Sequence, residues 1–322
     1  MSVFCSIILT AYNVENYIED SILSVVNSNS TDWELIIVDD GSTDGTPNII
    51  NQFLSNKKIF TYTTVNRGLG AARNFGIHKS KGEYILFLDG DDMIRNDLIT
   101  NLFETVQINK KDVICFGWQS YKSKSIVEAD FFTRYMTVAV WNKCYRKAWL
   151  SENEIEFMET VLFEDVAYSL DLMMNAPQFV NKDFEGYVYR IRRESISHSS
   201  YSVDKENDAI KILNRMCNEI SISSEKLIKQ YVAEFWWRHL IYSLNMERDN
   251  SDFSSLRNMI RILNESSVSR KHVLKGRMLH DFVVMTIPVL INLNFVRIAR
   301  IVNHSADWLA FRVNNLIINL SK

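Results

Sequence analysis

The sequence predicts an α/β fold, a mostly parallel central sheet flanked by helices, followed by a C-terminal helical region. Three observations predict it. Short runs rich in β-branched and aromatic residues, at 3–10 (VFCSIILT), 33–39 (WELIIVD), 59–65, 84–89 (YILFLD) and 112–118, read as strands. Helical periods lie between them, so the order is βαβαβαβαβ, the alternation of a doubly wound domain whose ligand sits beyond the carboxyl ends of the strands. Eight of the ten glycines precede residue 118, which makes the first third of the chain turn-rich and the last third not.

Each element has a local reason. Residues 6–9 and 35–38 are apolar without alternation, as suits strands covered on both faces of a parallel sheet. Tyr17, Ile18, Ser21, Ile22, Val25 and Val26 share one helical face, and Thr46-Pro47 supplies an N-cap followed by proline at the first helical position. Beyond Trp118 the pattern loosens; residues 164–175 (EDVAYSLDLMMN) then read as a helix and 179–192 as a strand. From about residue 204 to the end only helical periods are seen.

Composition narrows the classes. With 322 residues, 47% hydrophobic and 23% charged, the chain can bury a large core, which excludes disorder, collagen and a disulfide-stapled mini-protein. A net charge of -3 offers no global attraction for nucleic acid. Cys5, Cys115, Cys144 and Cys217 form no CxxC pair and read as reduced, mostly buried thiols. Met1 runs straight into a strand-like stretch without a basic n-region, so no secretory signal is expected and the protein is placed in the cytoplasm. The apolar run 282–293 is broken by Thr286, Pro288 and Asn292 and falls short of the roughly 20 residues of a spanning helix. From Arg257 onward ten basic residues face three acidic ones, so charge is segregated toward the C-terminus.

The chemistry-bearing residues cluster at strand ends. The run Leu86-Phe87-Leu88-Asp89-Gly90-Asp91-Asp92 stops an apolar strand at three carboxylates in four positions, hard oxygen donors that suit Mg²⁺ or Mn²⁺ bridged to substrate phosphates. The competing reading is that Asp91 or Asp92 caps the helix that starts near Arg95. A second acidic turn, residues 38–46 (VDDGSTDGT), closes another buried strand, and the first strand ends in Thr10-Ala11-Tyr12-Asn13. Together these turns suit a nucleoside: an aspartate accepts the imide N–H of uracil, Tyr12 stacks, and Asp89 holds ribose hydroxyls. Residues 66–74 (NRGLGAARN) supply cations near a helix start, without the third glycine of a dinucleotide fingerprint, and there is no P-loop.

The blocks TAYN (10–13), VDDGSTDGT (38–46), NRGLGAARNFGI (66–77), LDGDD (88–92), WNKCYRK (141–147), LFEDVA (162–167) and YRIRRESISH (189–198) run in order across about 200 residues. In them the sequence resembles the family-2 glycosyltransferases of the GT-A fold, the kind that build bacterial capsular, exopolysaccharide or O-antigen repeats. The family usually has proline where Ala11 stands and serine or aspartate where Gly90 stands. The resemblance implies that Asp39 reads uracil, Arg73 lies close to the nucleotide, Asp89 contacts the ribose and Asp91 ligates Mn²⁺ or Mg²⁺ on the diphosphate. It implies Asp165 as catalytic base, with Glu164 as the fallback, and inversion of an α-linked UDP-hexose to a β-linked product. Arg192, Arg193 and His198 are expected to neutralise the leaving diphosphate.

On this reading residues 1–203 are the catalytic domain, with 1–118 nucleotide-binding and 119–203 acceptor-side. Trp141, Asn142 and Lys143 are candidates to border the acceptor. The helical region 204–322 is expected to lie on an anionic membrane, at the inner face beside a lipid-diphosphate-linked acceptor, to form a homodimer contact, or to pack only on the catalytic domain. Two rivals are a haloacid-dehalogenase-like phosphatase, whose DxD normally closes the first strand rather than the fourth, and a nucleotide-sugar-binding module that has lost catalysis.

Overall fold

Eight strands form one sheet in the computed structural model, which describes residues 3–120, 139–175, 177–191, 203–220 and residue 261. In chain order the elements are β1 (Cys5–Ala11), α1 (Ile18–Val26), β2 (Trp33–Asp39), α2 (Thr46–Asn51), β3 (Ile59–Thr63), α3 (Leu69–Lys79), β4 (Tyr84–Asp89) and β5 (Met93–Ile94). They continue with α4 (Leu98–Ile108), β6 (Val113–Ser120), β7 (Lys143–Arg146), α5 (Lys147–Glu152), α6 (Glu164–Met174), β8 (Phe179–Tyr189) and α7 (Val203–Ile220). The sheet order is β3-β2-β1-β4-β7-β6-β8-β5.

Strands β3, β2, β1 and β4 are parallel. β7 runs antiparallel between β4 and β6, and β6 pairs in parallel with β8. The carboxyl ends of β1, β2, β3, β4, β6 and β8 therefore open on one edge, and β7 begins at that same edge. The apolar runs behave as their composition dictates: all seven positions of β1 and of β2 are buried. Ile7, Leu9, Ile37, Leu86 and Leu88 pack with Ile18 and Ile22 of α1 and Leu98 and Leu102 of α4. Ile8, Ile85 and Phe87 pack on the other face with Ile77 of α3, Trp149 of α5 and Tyr168 of α6. The alternation along β1 and β4 thus divides one apolar run between two cores.

Several boundaries differ from the sequence reading, each for a local reason. β3 stops at Thr63 because Thr64 turns its N–H to the Asp39 carbonyl and its hydroxyl to Asp40 Oδ1 (both 2.9 Å), leaving Val65 exposed. Thr46 does not cap α2; its hydroxyl accepts the N–H of Val14 (2.9 Å), and Asp44 Oδ1 accepts the N–H of Thr46 (2.9 Å). Neither Asp91 nor Asp92 caps a helix, since α4 starts at Leu98 behind Asp97. The strand expected to reach residue 192 ends at Tyr189. β5, β7 and α5 were not legible: β7 is only four residues long, with lysine at a buried position and arginine at its end.

The chain divides into two compact units, Met1–His198 and Ser199–Lys322. In the second, Ala209, Ile212, Leu213, Met216 and Cys217 of α7 are buried at helical spacing; the helices expected beyond residue 220 lie outside the described residues. No described helix is long and apolar enough to cross a membrane. All four cysteines are buried and in no disulfide.

Candidate active site

Register brings the predicted turns together. Ala11 pairs with Asp39 across β1–β2, and Thr10 with Asp89 across β1–β4, so Thr10, Tyr12, Asn13, Asp39 and Asp89 gather at one edge of the sheet. Asn13, at φ 51°, accepts the N–H of Thr43 (2.8 Å) and gives its own to Ser42 Oγ (2.9 Å), which sews the first turn to the second. Tyr12 is half exposed beside it, and Thr10 is buried with its carbonyl on the Gly90 N–H (2.9 Å). Asp39 is 3% exposed; its Oδ1 accepts from the Ser42 N–H (3.0 Å), while its Oδ2 is buried with no hydrogen-bond partner. The neighbouring Asp40 is fully used inside the protein, accepting from Gly68 N (2.8 Å), Arg67 N (3.1 Å) and the Thr64 hydroxyl.

The glycine-rich motif proves to be a seat for the Glu-Asp pair. Gly70 opens α3 to close approach: a Cβ there would collide with the Met158 carbonyl and crowd Glu164 Cβ. Asn74 clamps the incoming loop, its Nδ2 donating to the Phe157 carbonyl and its Oδ1 accepting the Phe157 N–H (both 2.9 Å). Arg67 pairs with Glu159 on the same loop. That loop then enters α6 through Phe163 at φ 67°, a left-handed conformation that is strained for an aromatic residue and is held by the surrounding contacts.

Arg73, expected beside the nucleotide, is 3% exposed and links the two acidic centres. Its Nη2 lies 2.9 Å from Asp89 Oδ1 and its Nη1 2.7 Å from Glu164 Oε1, with the guanidinium over the Phe157 ring at 5.2 Å. Burial would weaken its charge, but Asp89, Glu164 and Asp165 outweigh that and hold it cationic. Burial pushes the Glu164 carboxyl up as well. Asp165 is half-buried, and burial together with the adjacent Glu164 charge raises it to about 7. Behind the pair, Lys143 of β7 is fully buried; burial draws its ammonium down to about 8, and its Nζ donates to Asn142 Oδ1 (3.0 Å).

The turn after β4 is braced from several sides. Ser21 Oγ of α1 meets the carbonyls of Gly90 (2.9 Å) and Asp92 (2.6 Å). A Cβ on Gly90 would lie 2.8 Å from the Thr10 carbonyl, so a serine there would force the turn outward. Asp92 is 1% exposed and is a structural anchor: its Oδ2 accepts from Tyr187 Oη (2.8 Å) and its Oδ1 from the Arg190 N–H (2.7 Å). Burial and the charges of Asp89 and Asp91 push its carboxyl up to about 8. Tyr187, Arg190, Asp40 and Ser21 are the site-building residues that sequence reasoning missed. Arg192, Arg193 and His198 lie outside the described residues.

The donor set fits a hard divalent cation shared with a substrate. Asp89 and Asp91 stand two apart on a turn at the open edge, and Asp89 spends only Oδ1 on Arg73. Among the described residues no three Asp, Glu, His or Cys side chains converge to enclose an ion. A cation here would complete its shell with phosphate oxygens and water, the usual habit of Mg²⁺ in phosphate sites.

Comparison with known proteins places this geometry. Residues 6–147 match the family model described as glycosyl transferase family 2. A Haemophilus influenzae protein named an uncharacterized glycosyltransferase is 32% identical over 208 residues, 61% of this chain and 82% of that one. The cholesterol galactosyltransferase of Borreliella burgdorferi is 26% identical over 265 residues, 72% of this chain and 73% of the relative. The poly(ribitol-phosphate) β-N-acetylglucosaminyltransferase TarS of Staphylococcus aureus is 28% identical over 255 residues, 74% of this chain but 44% of TarS, so the chain spans under half of that relative. The crystal structure of TarS 1-349 in complex with UDP-GlcNAc superposes with a TM-score of 0.76 at 21% identity, covering 95% of this chain and 92% of that one. The fold is thus that of a GT-A glycosyltransferase. The chain belongs to glycosyltransferase family 2.

Proposed function

We propose that this chain is an inverting, metal-dependent hexosyltransferase that moves one hexose from a UDP-sugar to a hydroxyl of a growing bacterial glycan, leaving a β-linkage. The observation that carries this reading is Arg73, whose single guanidinium spans from Asp89 at the end of β4 to Glu164 at the start of α6. The donor turn and the Glu164-Asp165 pair are thereby held within one side chain's reach, as a single displacement at an anomeric carbon requires.

Asp39 Oδ2 supports uracil as the base, because a buried lone acceptor is satisfied by the imide N–H, and TarS was crystallised with UDP-GlcNAc. Tyr12 stacks on the base, Thr10 and Asn13 shape its pocket, and Asp89 takes the ribose. Asp165 takes the acceptor hydroxyl's proton as the oxygen attacks C1; its carboxyl, raised to about 7, matches the demands of a general base near neutral pH. Glu164, neutralised by Arg73, is the lesser candidate for that role. Asp91 and Asp89 would hold Mn²⁺ or Mg²⁺, which supplies charge neutralisation to the departing diphosphate. Arg192, Arg193 or His198 would assist that charge neutralisation. Residues 1–203 form the catalytic domain and 204–322 the helical region; the acceptor is lipid-diphosphate-linked, met at an anionic cytoplasmic membrane face or by a homodimer.

Incubating the protein with UDP-hexoses, Mn²⁺ and a lipid-diphosphate acceptor should release UDP and a β-anomer, read by the anomeric coupling in NMR. Turnover that persists in Asp91→Ala and Asp165→Asn refutes the roles assigned here.

A further inference from the structure

We propose that Arg190 is a positioning residue for the turn that binds the cation: it clasps Asp91 and Asp92 to helix α1, so that Asp89 and Asp91 share one fixed geometry. This rests on the reading of Asp89 and Asp91 as cation ligands. Arg190 binds the turn by two groups and reaches α1 and Met93 by a third. Its backbone N–H donates to Asp92 Oδ1 (2.7 Å), its Nε to the Asp91 carbonyl (3.0 Å), and its Nη2 meets Asp20 Oδ2 of α1 (2.8 Å) and Met93 Sδ (3.7 Å). The guanidinium carbon Cζ lies over the Tyr17 ring, 5.3 Å from its centre, and the side chain is 14% exposed.

The turn needs such a clasp. Three carboxylates in four positions repel, and the turn leaves the end of β4 with no helix following until Leu98. Asp92 has both oxygens committed, to Tyr187 and to the Arg190 N–H, so it takes part as the tether rather than as a donor. Asp91 is gripped by its own carbonyl, which fixes the backbone that aims its side chain. An arginine does what a lysine cannot, since a planar fork donates in two directions while stacking on a ring. A residue that orients a cation ligand without touching the cation typically accounts for ~10–100-fold in affinity.

The test titrates Mn²⁺ into full-length protein by electron paramagnetic resonance, and UDP by calorimetry with Mn²⁺ and with EDTA. The variants are Arg190→Gln, Arg190→Lys and Asp20→Asn, each checked by its melting temperature. Arg190→Gln is expected to raise the half-saturating Mn²⁺ concentration ~10–100-fold, leave UDP affinity in EDTA unchanged, and recover turnover when Mn²⁺ is raised to saturation. Arg190→Lys should lie between it and the parent. Asp20→Asn removes only the exposed end of the clasp, so it reports the same direction even if Arg190→Gln fails to fold. Folded variants with the parent's Mn²⁺ dependence overturn the positioning role. A parent that binds UDP equally in Mn²⁺ and EDTA overturns the cation reading beneath it, which is a different result.

Discussion

Asp39 holds a buried oxygen with no hydrogen-bond partner, and the half-buried Asp165 carboxyl is raised by burial and by the neighbouring Glu164 charge. In Asp39→Asn the Ser42 N–H keeps its acceptor, while an amide N–H₂ replaces the lone oxygen and opposes the uracil imide. UDP affinity should fall at least ~10-fold with the melting temperature unchanged or raised, because leaving a polar atom buried and unpartnered costs about 1–3 kcal/mol; equal UDP affinity removes Asp39 from the base site. Asp165→Asn should lower kcat by ~10²–10⁴ with UDP binding retained. The sign of the pH effect follows from the direction of the shift. Asp165 is raised to about 7 and works ionised, so kcat/KM should climb through about pH 7 and level off above it, and a profile already flat at pH 5.5 contradicts Asp165 as base. These two aspartates stand out in the sequence because each sits in a local block. Tyr187 and Arg190 do not, since their partners lie 95 to 99 residues away.

Helix α3 shows how one element turns a motif into a platform. Gly70, Arg73 and Asn74 present space, charge and a clamp to the same incoming loop. Gly70→Ala pushes a methyl into the Met158 carbonyl, an overpacking that should cost about 1–3 kcal/mol and be read as a lowered denaturant midpoint, with turnover falling further than stability because Glu164-Asp165 moves with the loop. Arg73→Met strands Asp89 and Glu164 without their cation and should cost about 3–5 kcal/mol; a stability equal to the parent shows that the bridge is not what holds the two centres. Strands β1, β2 and β4 were legible because parallel, doubly covered strands read as uninterrupted apolar runs. β7 was not, because an antiparallel insert of four residues with a buried lysine has neither period nor hydrophobicity, and its place between β4 and β6 is set by long-range pairing alone.

Across the whole molecule, charge is segregated: the net -3 conceals a C-terminal stretch from Arg257 with ten basic and three acidic residues. A membrane role for that stretch predicts that the full chain floats with anionic vesicles and not with neutral ones, and that about 0.5 M salt releases it by screening. Protein that stays in solution beside anionic vesicles refutes the membrane role for that stretch. Residues 1–198 have a simpler logic, in which six strands end at one edge and, on the proposed reading, each acidic turn there serves a separate part of a nucleotide-sugar. That logic is tested most directly by calorimetric titration with UDP, GDP and CDP, each in Mn²⁺ and in EDTA, with Asp91→Ala alongside. Binding of UDP alone, strengthened by Mn²⁺ and weakened to its EDTA level in Asp91→Ala, is the predicted result. Equal binding of the three nucleotides, or UDP binding indifferent to Mn²⁺ and to Asp91, contradicts it.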